Sequence, residues 1–418
     1  MSRRFRFATL AVVFCAFAAR AEQGKRPASV LVGATLPLTG SEAKAGTMFR
    51  EGYELALERE NADGGLLVGG GRVPVTLRLL DDGSSAANAV KLAEQLVQED
   101  HADFLLSTYS SSLVEPQSAV AERLRVPYVS GAASATTVFQ HGYKYLFGLQ
   151  SPIDQLANAL LRWIDEQQKS GKLPSPLRIA LVWEKTAHGK DYRSGVQDFV
   201  GKTASRRGSY QVVLDDSFDL NTKDFGPLLK RIQAARADVV LADAHLPDFI
   251  QMQKQYVAAG MCHKLVSYGA RGAEKEAAQA LPPHATDYVL SAVWWNAQLG
   301  AKGLTKEFVD LFRARYGRTP EWYQALAYES ARALFTAVEQ AGTTDREAVR
   351  EALAALKMES IVPGGYLTFP QEYGQQAHYL FVVQQNQPDG TSPIVYPKIA
   401  AVQDGIPADP RCSAHALR

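Results

Sequence analysis

Residues 105–134 read LLSTYSSSLVEPQSAVAERLRVPYVSGAAS, and the organisation of the whole chain follows from them. An apolar run ending at Leu106 meets a hydroxyl-rich turn at Ser110, Ser111 and Ser112. A helix, a second strand over 126–130 and a second turn of small residues over 131–134 come next. Ser112 with Glu115 matches the Ser-x-x-Glu capping box, which predicts a helix opening at the first turn. A helix N-terminus carries unpaired N–H groups and the positive end of the peptide dipole. Carboxylates and phosphates bind there, and serine hydroxyls add donors without bulk. In a parallel sheet both turns fall at the carboxyl edge of the strands, where open α/β sheets take their ligands. Serine is also a preferred N-cap, so either turn taken alone is equally well read as capping.

Outward from this stretch, strands and amphipathic helices alternate in both directions. Strands over 30–35, 75–80, 104–106 and 127–130 are separated by helices over 46–61, 86–98 and 113–124. A second series has helices over 153–169, 192–204, 225–235 and 248–259, with strands over 179–183, 211–215, 239–242 and 265–268. Alternation at this spacing predicts βαβ units, hence parallel sheets covered by helices, laid down twice. Gly64-Gly65 and Gly69-Gly70-Gly71 flank an apolar tripeptide and fit a glycine-rich hairpin; no phosphate-loop or dinucleotide fingerprint follows a strand. Helices dominate 304–357, and short strands over 366–369, 379–384 and 394–396 close the chain.

Residues 1–21, MSRRFRFATLAVVFCAFAARA, place Arg3, Arg4 and Arg6 before an apolar run and end in Ala19-Arg20-Ala21. That is the pattern of a secretory signal peptide with an A-x-A cleavage site. The apolar run is shorter than the roughly 20 residues of a membrane span. Phe14 before Cys15 is too large for a lipoprotein cleavage site, so the expected product is released after Ala21. Those 21 residues hold four arginines and no acid, so 45 basic and 44 acidic residues become 41 and 44, a net charge near −3. No nucleic-acid partner is indicated. The remaining 397 residues exceed a usual single core, which predicts two domains. Cys262 and Cys412 remain; they either form one disulfide or sit as small buried residues.

The order of GATLPLTG at 33–40, DDGSSAANAVKLAEQLV at 81–97, the stretch at 107–134 and GYKYLFGL at 142–149 resembles the type I periplasmic solute-binding proteins. Within them it is most similar to the leucine/isoleucine/valine-binding branch that feeds ABC importers. ALVWEKTAHGKDY at 180–192, ADVVLADAHLPDFIQMQKQYVAAG at 237–260 and QALAYESARALFTAVEQAG at 324–342 agree, so the resemblance spans essentially the whole mature chain. It implies an α/β fold of two doubly wound parallel-sheet lobes joined by three crossovers, with the ligand cleft between them. Lobe one would take residues 28–147 and 297–358, and lobe two residues 148–296 and 359–418. It also implies a periplasmic location and delivery to ABC permease subunits in the membrane, with no cofactor.

By motif position, the resemblance assigns the ligand's carboxylate to the turn of Ser110 and Ser111, with Ala132 and Ser134 adding backbone and hydroxyl contacts. Lobe two departs from the pattern. His188 stands where amino-acid binders usually carry a tyrosine, and His245 takes the next aromatic position. Between Ser267 and Gly272 (SYGARG), where those binders place an acid for the ligand's ammonium, this chain has Arg271. Either Arg271 faces solvent and Asp243 or Glu184 supplies the acid, or Arg271 and the two histidines favour an anionic ligand lacking a free α-ammonium. Amino acids remain the first expectation, related small carboxylates the second. Trp294 and Trp295 are expected at a hinge or in the core.

Enzymatic readings are weak. The eight histidines show no H-E-x-x-H or paired spacing, so no metal site is expected. No G-x-S-x-G elbow surrounds a serine; a hydrolase built from Ser110, a cleft histidine and Asp243 is a remote alternative. The nearer rival is a ligand sensor of the same fold, signalling to a partner protein by the same closure.

Overall fold

The computed structural model describes residues 26–202, 208–300 and 303–413. The leader read at 1–21 lies outside the described residues. Among those described, no helix is long and apolar enough to cross a membrane.

The first lobe opens with β1 (Val30–Leu36), α1 (Ala43–Ala62), the hairpin of β2 (Leu66–Val68) and β3 (Gly71–Val73), and β4 (Val75–Asp81). It continues through α2 (Ala86–Gln98), β5 (Phe104–Leu106), α3 (Ser111–Leu124), β6 (Tyr128–Ser130) and β7 (Leu146–Gly148). The five strands pair in the order β4-β1-β5-β6-β7, all parallel. Parallel strands covered on both faces are apolar throughout, which is why Phe104, Leu105 and Leu106 are all buried.

The second lobe follows with α4 (Ile153–Lys169), β8 (Leu177–Glu184), α5 (Ala187–Lys202), β9 (Tyr210–Phe218), α6 (Gly226–Ala235) and β10 (Val239–Asp243). Then come α7 (Leu246–Ala258), β11 (Leu265–Tyr268), α8 (Lys275–Ala280) and β12 (Leu290–Val293). The chain next returns to the first lobe as α9 (Gly303–Tyr316), α10 (Trp322–Ala341) and α11 (Arg346–Ala354). A hairpin of β13 (Lys357–Glu359) and β14 (Tyr366–Thr368) precedes β15 (Val382–Gln385) and β16 (Ile394–Tyr396). The second sheet runs β16-β15-β12-β11-β10-β8-β9. It is parallel from β9 to β12, but β15 and β16 join antiparallel, so this sheet is mixed at one edge.

The predicted hairpin at the glycine clusters is present. Three strands were not foreseen, β7, β12 and β13. The first two are three and four residues long and buried on both faces, so they carry no period-two signal to distinguish them from a buried loop, and β13 is three residues at the end of the stretch read as helical.

Helix α10 lies against α1 at Gly52, where a Cβ would stand 2.4 Å from the Gln324 carbonyl oxygen and 2.6 Å from the Ala327 Cβ. Cys262 and Cys412 form a disulfide with their Cα atoms 5.3 Å apart, which resolves the alternatives left open by the sequence. The bond holds the C-terminal tail on the second lobe. Arg411 reinforces it by donating to the carbonyls of His284 at 2.9 Å and Asp287 at 2.8 Å.

Candidate ligand-binding site

The chain leaves β1 and β5, neighbours in the first sheet, in opposite directions across the sheet; β8 and β10 do the same in the second. These are the positions at which a doubly wound sheet opens a crevice beyond its carboxyl edge. The serine turns, the two histidine–acid pairs and Arg271 follow one of these strands, or β6 or β11 beside them.

In the first lobe α3 begins at Ser111, with Ser110 as its N-cap in extended conformation. The expected capping box at Ser112 and Glu115 does not form, because the helix starts earlier; Glu115 meets His141 Nε2 at 3.0 Å instead. The Ser110 hydroxyl makes no cap hydrogen bond and lies 3.2 Å from Ser112 Oγ. Ser111 Oγ is committed: it accepts the backbone N–H of Ser134 at 3.2 Å and of Ala135 at 3.3 Å, tying the two turns together. Ala132 donates its N–H to Ser130 Oγ at 3.2 Å, and the Ser134 carbonyl accepts from Ile153 N–H at 3.1 Å. The small residues of the second turn also have a packing cause. A Cβ on Gly131 would stand 2.4 Å from Ser330 Oγ and 2.7 Å from the Leu326 carbonyl oxygen of α10.

In the second lobe the two predicted histidines are cross-braced. Glu184 ends β8 and Asp243 ends β10. His188, one turn after β8, places Nδ1 2.8 Å from Asp243 Oδ2, while His245, just after β10, places Nδ1 2.7 Å from Glu184 Oε2. Thr186 donates to the other Glu184 oxygen at 2.8 Å. Burial alone would keep the His245 ring neutral, but the Glu184 carboxylate and, beyond it, Glu42 outweigh burial and lift its pKa to about 9. Burial likewise pushes Glu184 up, and His245, with help from His188 and Thr186, draws it down to about 2. The ring centroids of His188 and His245 are 5.8 Å apart. With each Nδ1 turned to an acid, the Nε2 edges are the ones left to meet a ligand.

Arg271 does not face solvent; it is 4% exposed. Its guanidinium crosses to the first lobe, donating from Nη2 to the Tyr109 hydroxyl at 2.7 Å and lying 5.3 Å over the Trp322 ring and 5.4 Å over the Tyr323 ring. An acid does stand beside it. Glu274 places Oε1 3.9 Å from Arg271 Nη1, accepts the Gly272 N–H at 2.7 Å, and accepts the Tyr323 hydroxyl at 3.4 Å. Arg271 therefore joins the lobes through Nη2 and the aromatic faces, while its Nε and Nη1 are buried without a hydrogen-bond partner. Thr136 makes a second bridge, donating from its N–H at 2.7 Å and its hydroxyl at 3.0 Å to Asp191 of α5.

The structure thus draws the predicted residues towards one place, with Tyr109 as the link: it precedes Ser110, accepts from Arg271 and lies edge-on to the His245 ring at 6.4 Å. Tyr109, Glu42, Glu274, Trp322 and Tyr323 were not singled out from the sequence. Tyr109 stood in the quoted serine turn and was the one that position alone offered. Trp294 and Trp295 are buried, Trp294 lying against Trp322 with ring centroids 4.9 Å apart and donating from Nε1 to the Ser151 carbonyl at 2.8 Å, and Trp295 lying against Phe308.

Two doubly wound lobes that face each other with the carboxyl ends of their strands, and polar groups meeting across the gap, define a two-lobed solute-binding protein. The sequence matches the family described as periplasmic binding protein over residues 29–391, and the chain belongs to that family. It is 28% identical over 387 residues to Leu/Ile/Val-binding protein homolog 8 of Brucella abortus, covering 90% of this chain and 92% of that protein. Among solved structures it is similar to the branched-chain amino acid transporter substrate binding protein LivJ of Streptococcus pneumoniae in complex with isoleucine. The TM-score is 0.73 at 19% identity, over 88% of this chain and 100% of that one. An ABC transporter solute binding protein of R. palustris in complex with benzoate matches with the same TM-score at 22% identity, over 91% and 99%. These structures share the fold.

Proposed function

We propose that this chain is the extracytoplasmic substrate-binding protein of an ABC importer, which closes two lobes on an amino acid or related small carboxylate and presents it to permease subunits in the membrane. The closing units on this reading are residues 28–147 with 297–358 and residues 148–296 with 359–418, and the chain reaches the periplasm after loss of residues 1–21. The observation that carries the reading is the Ser110 turn. It combines a helix N-terminus, a hydroxyl uncommitted to capping and a second turn locked alongside by Ser111, facing the second lobe's imidazoles. Ser110, Ser111, Ala132 and Ser134 would hold the carboxylate end, with His188 and His245 opposite and Arg271 buried between the lobes. The relatives named above, one holding isoleucine and one benzoate, support a small carboxylate of either kind.

Binding without reaction fits the same geometry. A serine nucleophile needs a base within hydrogen-bond reach, whereas among the described residues Ser110 Oγ pairs with Ser112 Oγ and with no histidine. A thermal-shift screen of amino acids, aromatic acids, dicarboxylates and their amides tests the proposal. A ligand at 100 times its Kd adds about 2.7 kcal/mol, a readily measured rise in Tm. A panel in which only uncharged solutes stabilise the protein would overturn it.

A further inference from the structure

Arg271 reaches the lobe junction with its hydrogen bonding unfinished. Its Nη2 donates to the Tyr109 hydroxyl at 2.7 Å, but Nε and Nη1 are buried and have no hydrogen-bond partner among the described residues. A guanidinium keeps its charge at every working pH, so these N–H groups remain donors. The acids nearby do not complete it. Glu274 places Oε1 3.9 Å from Nη1, beyond hydrogen-bond reach, and its oxygens accept from the Gly272 N–H and the Tyr323 hydroxyl. Burial also pushes the Glu274 carboxyl up, against its charged form. Glu184 and Asp243 are held by the two histidines, and Glu42 acts on Arg271 through space without accepting from Nε or Nη1. The Trp322 ring beneath the guanidinium adds one more donor, Nε1, which is buried without a partner as well. Buried donors around a buried charge are costly unless a bound group supplies both lone pairs and the opposite charge.

Resting on the carboxylate-binding reading above, we propose that Arg271 takes a second anionic group of the ligand, so that the solute is a dicarboxylate. The spacing supports this. Tyr109 adjoins Ser110 in the chain and its hydroxyl meets Arg271, so the serine turn and the guanidinium stand at the two ends of one tyrosine side chain. A short carbon skeleton with an acidic group at each end spans that interval. The first carboxylate takes the helix N-terminus and hydroxyls of the first lobe, and the second takes the guanidinium of the second lobe. Each lobe then holds one charge, and closure encloses both. The assignment falls on Arg271 because each imidazole already has an acid at Nδ1. The tie to Tyr109 does not compete with it, since the ligand uses the nitrogens that the tyrosine leaves unused.

The test is calorimetric titration with pairs of acids in which one carboxylate is replaced by a methyl group: glutarate and pentanoate, terephthalate and 4-methylbenzoate, glutamate and norvaline. Wild type should prefer the dicarboxylate of the pair it binds by tenfold or more, the scale expected for a hydrogen bond to a charged group, and Arg271→Met should erase that preference. Loss of the tie between the lobes weakens both members of a pair alike, so the ratio of the two affinities is the readout. Tyr109→Phe removes the tie and keeps the guanidinium; it should weaken both members and preserve the ratio. If wild type takes the two members equally, or prefers the monocarboxylate, the Arg271 assignment is overturned while the carboxylate reading stands. That result does not depend on any variant folding. An Arg271→Met protein that keeps the wild-type ratio overturns the assignment in the same way. If no member of any pair binds wild type, the assignment also falls, and the carboxylate reading is then decided separately by the thermal-shift screen.

Discussion

His245 Nδ1 lies 2.7 Å from Glu184 Oε2, and the same oxygen accepts the His245 backbone N–H at 3.0 Å. One carboxylate at the end of β8 therefore fixes both the ring and the backbone at the start of α7. The reciprocal pair, His188 on Asp243, closes the other diagonal, so the mouth of the second sheet is laced across the point where its strand order reverses.

The first prediction concerns pH. The pKa of His245 rises on folding from 6.5 to about 9, so its stabilising contribution is full below about pH 6.5 and is lost as pH rises through about 9. Glu184 falls from 4.5 to about 2, so its share is present above about pH 4.5 and is lost as pH drops towards 2. Urea unfolding should show greatest stability between roughly pH 4.5 and 6.5, with decline on the alkaline side. His245→Ala leaves a buried carboxylate unpaired and should cost about 3–5 kcal/mol at pH 7. Wild-type and variant profiles that run parallel from pH 6.5 to 9.5 would show that the pair does not titrate in this way.

The second concerns the serines. Replacing Ser110 by Ala should weaken the ligand found in the screen by ten- to a hundredfold, since a hydrogen bond to a charged group is worth roughly 1.5–3 kcal/mol, and should leave the Tm of the free protein nearly unchanged. Ser111→Ala should behave differently, lowering Tm as well, because its oxygen holds Ser134 and Ala135. Equal effects of the two replacements on Tm would show that neither serine is distinguished by its bonding.

The third concerns Arg271. Replacing it with Met keeps its bulk but removes the donor to Tyr109 and the charge over Trp322 and Tyr323, weakening closure by about 1–2 kcal/mol. In scattering, the free variant should have a larger radius of gyration than free wild type, and saturating ligand should bring the two together. Coincident curves without ligand would mean that Arg271 does not hold the lobes.

Much of this arrangement was legible from local pattern. The turns at Ser110 and Ser134 were visible because an apolar strand, a run of hydroxyls and a helix follow within a few residues of one another. His188 and His245 stood out for the same reason, as unexpected residues at recognisable turns. What they do there was not legible, because each is partnered by the acid that ends the other's strand, 55 and 61 residues away. Arg271 was found but its direction was not, since Trp322 and Tyr323 reach it from a helix that returns to the first lobe.

The fourth prediction concerns Cys262 and Cys412, which are 150 residues apart. Cross-linking that span removes unfolded-state freedom worth about 5 kcal/mol in the chain-entropy model. Cys412→Ser should lower unfolding stability on that scale while leaving ligand affinity unchanged, because the tail is anchored at His284 and Asp287 and not at the cleft. A loss of affinity at a temperature where the variant is fully folded would contradict the separation of tail and site.

The second sheet acquires β15 and β16 from residues 382–396, and the first lobe receives α10 from residues 322–341. During synthesis, both halves are therefore unfinished for most of the chain's length. A polypeptide stopped near residue 320 has β12 without its antiparallel neighbour and α1 without the helix that covers Gly52, so each half lacks part of its packing. Completion of either half therefore waits on residues that are made last.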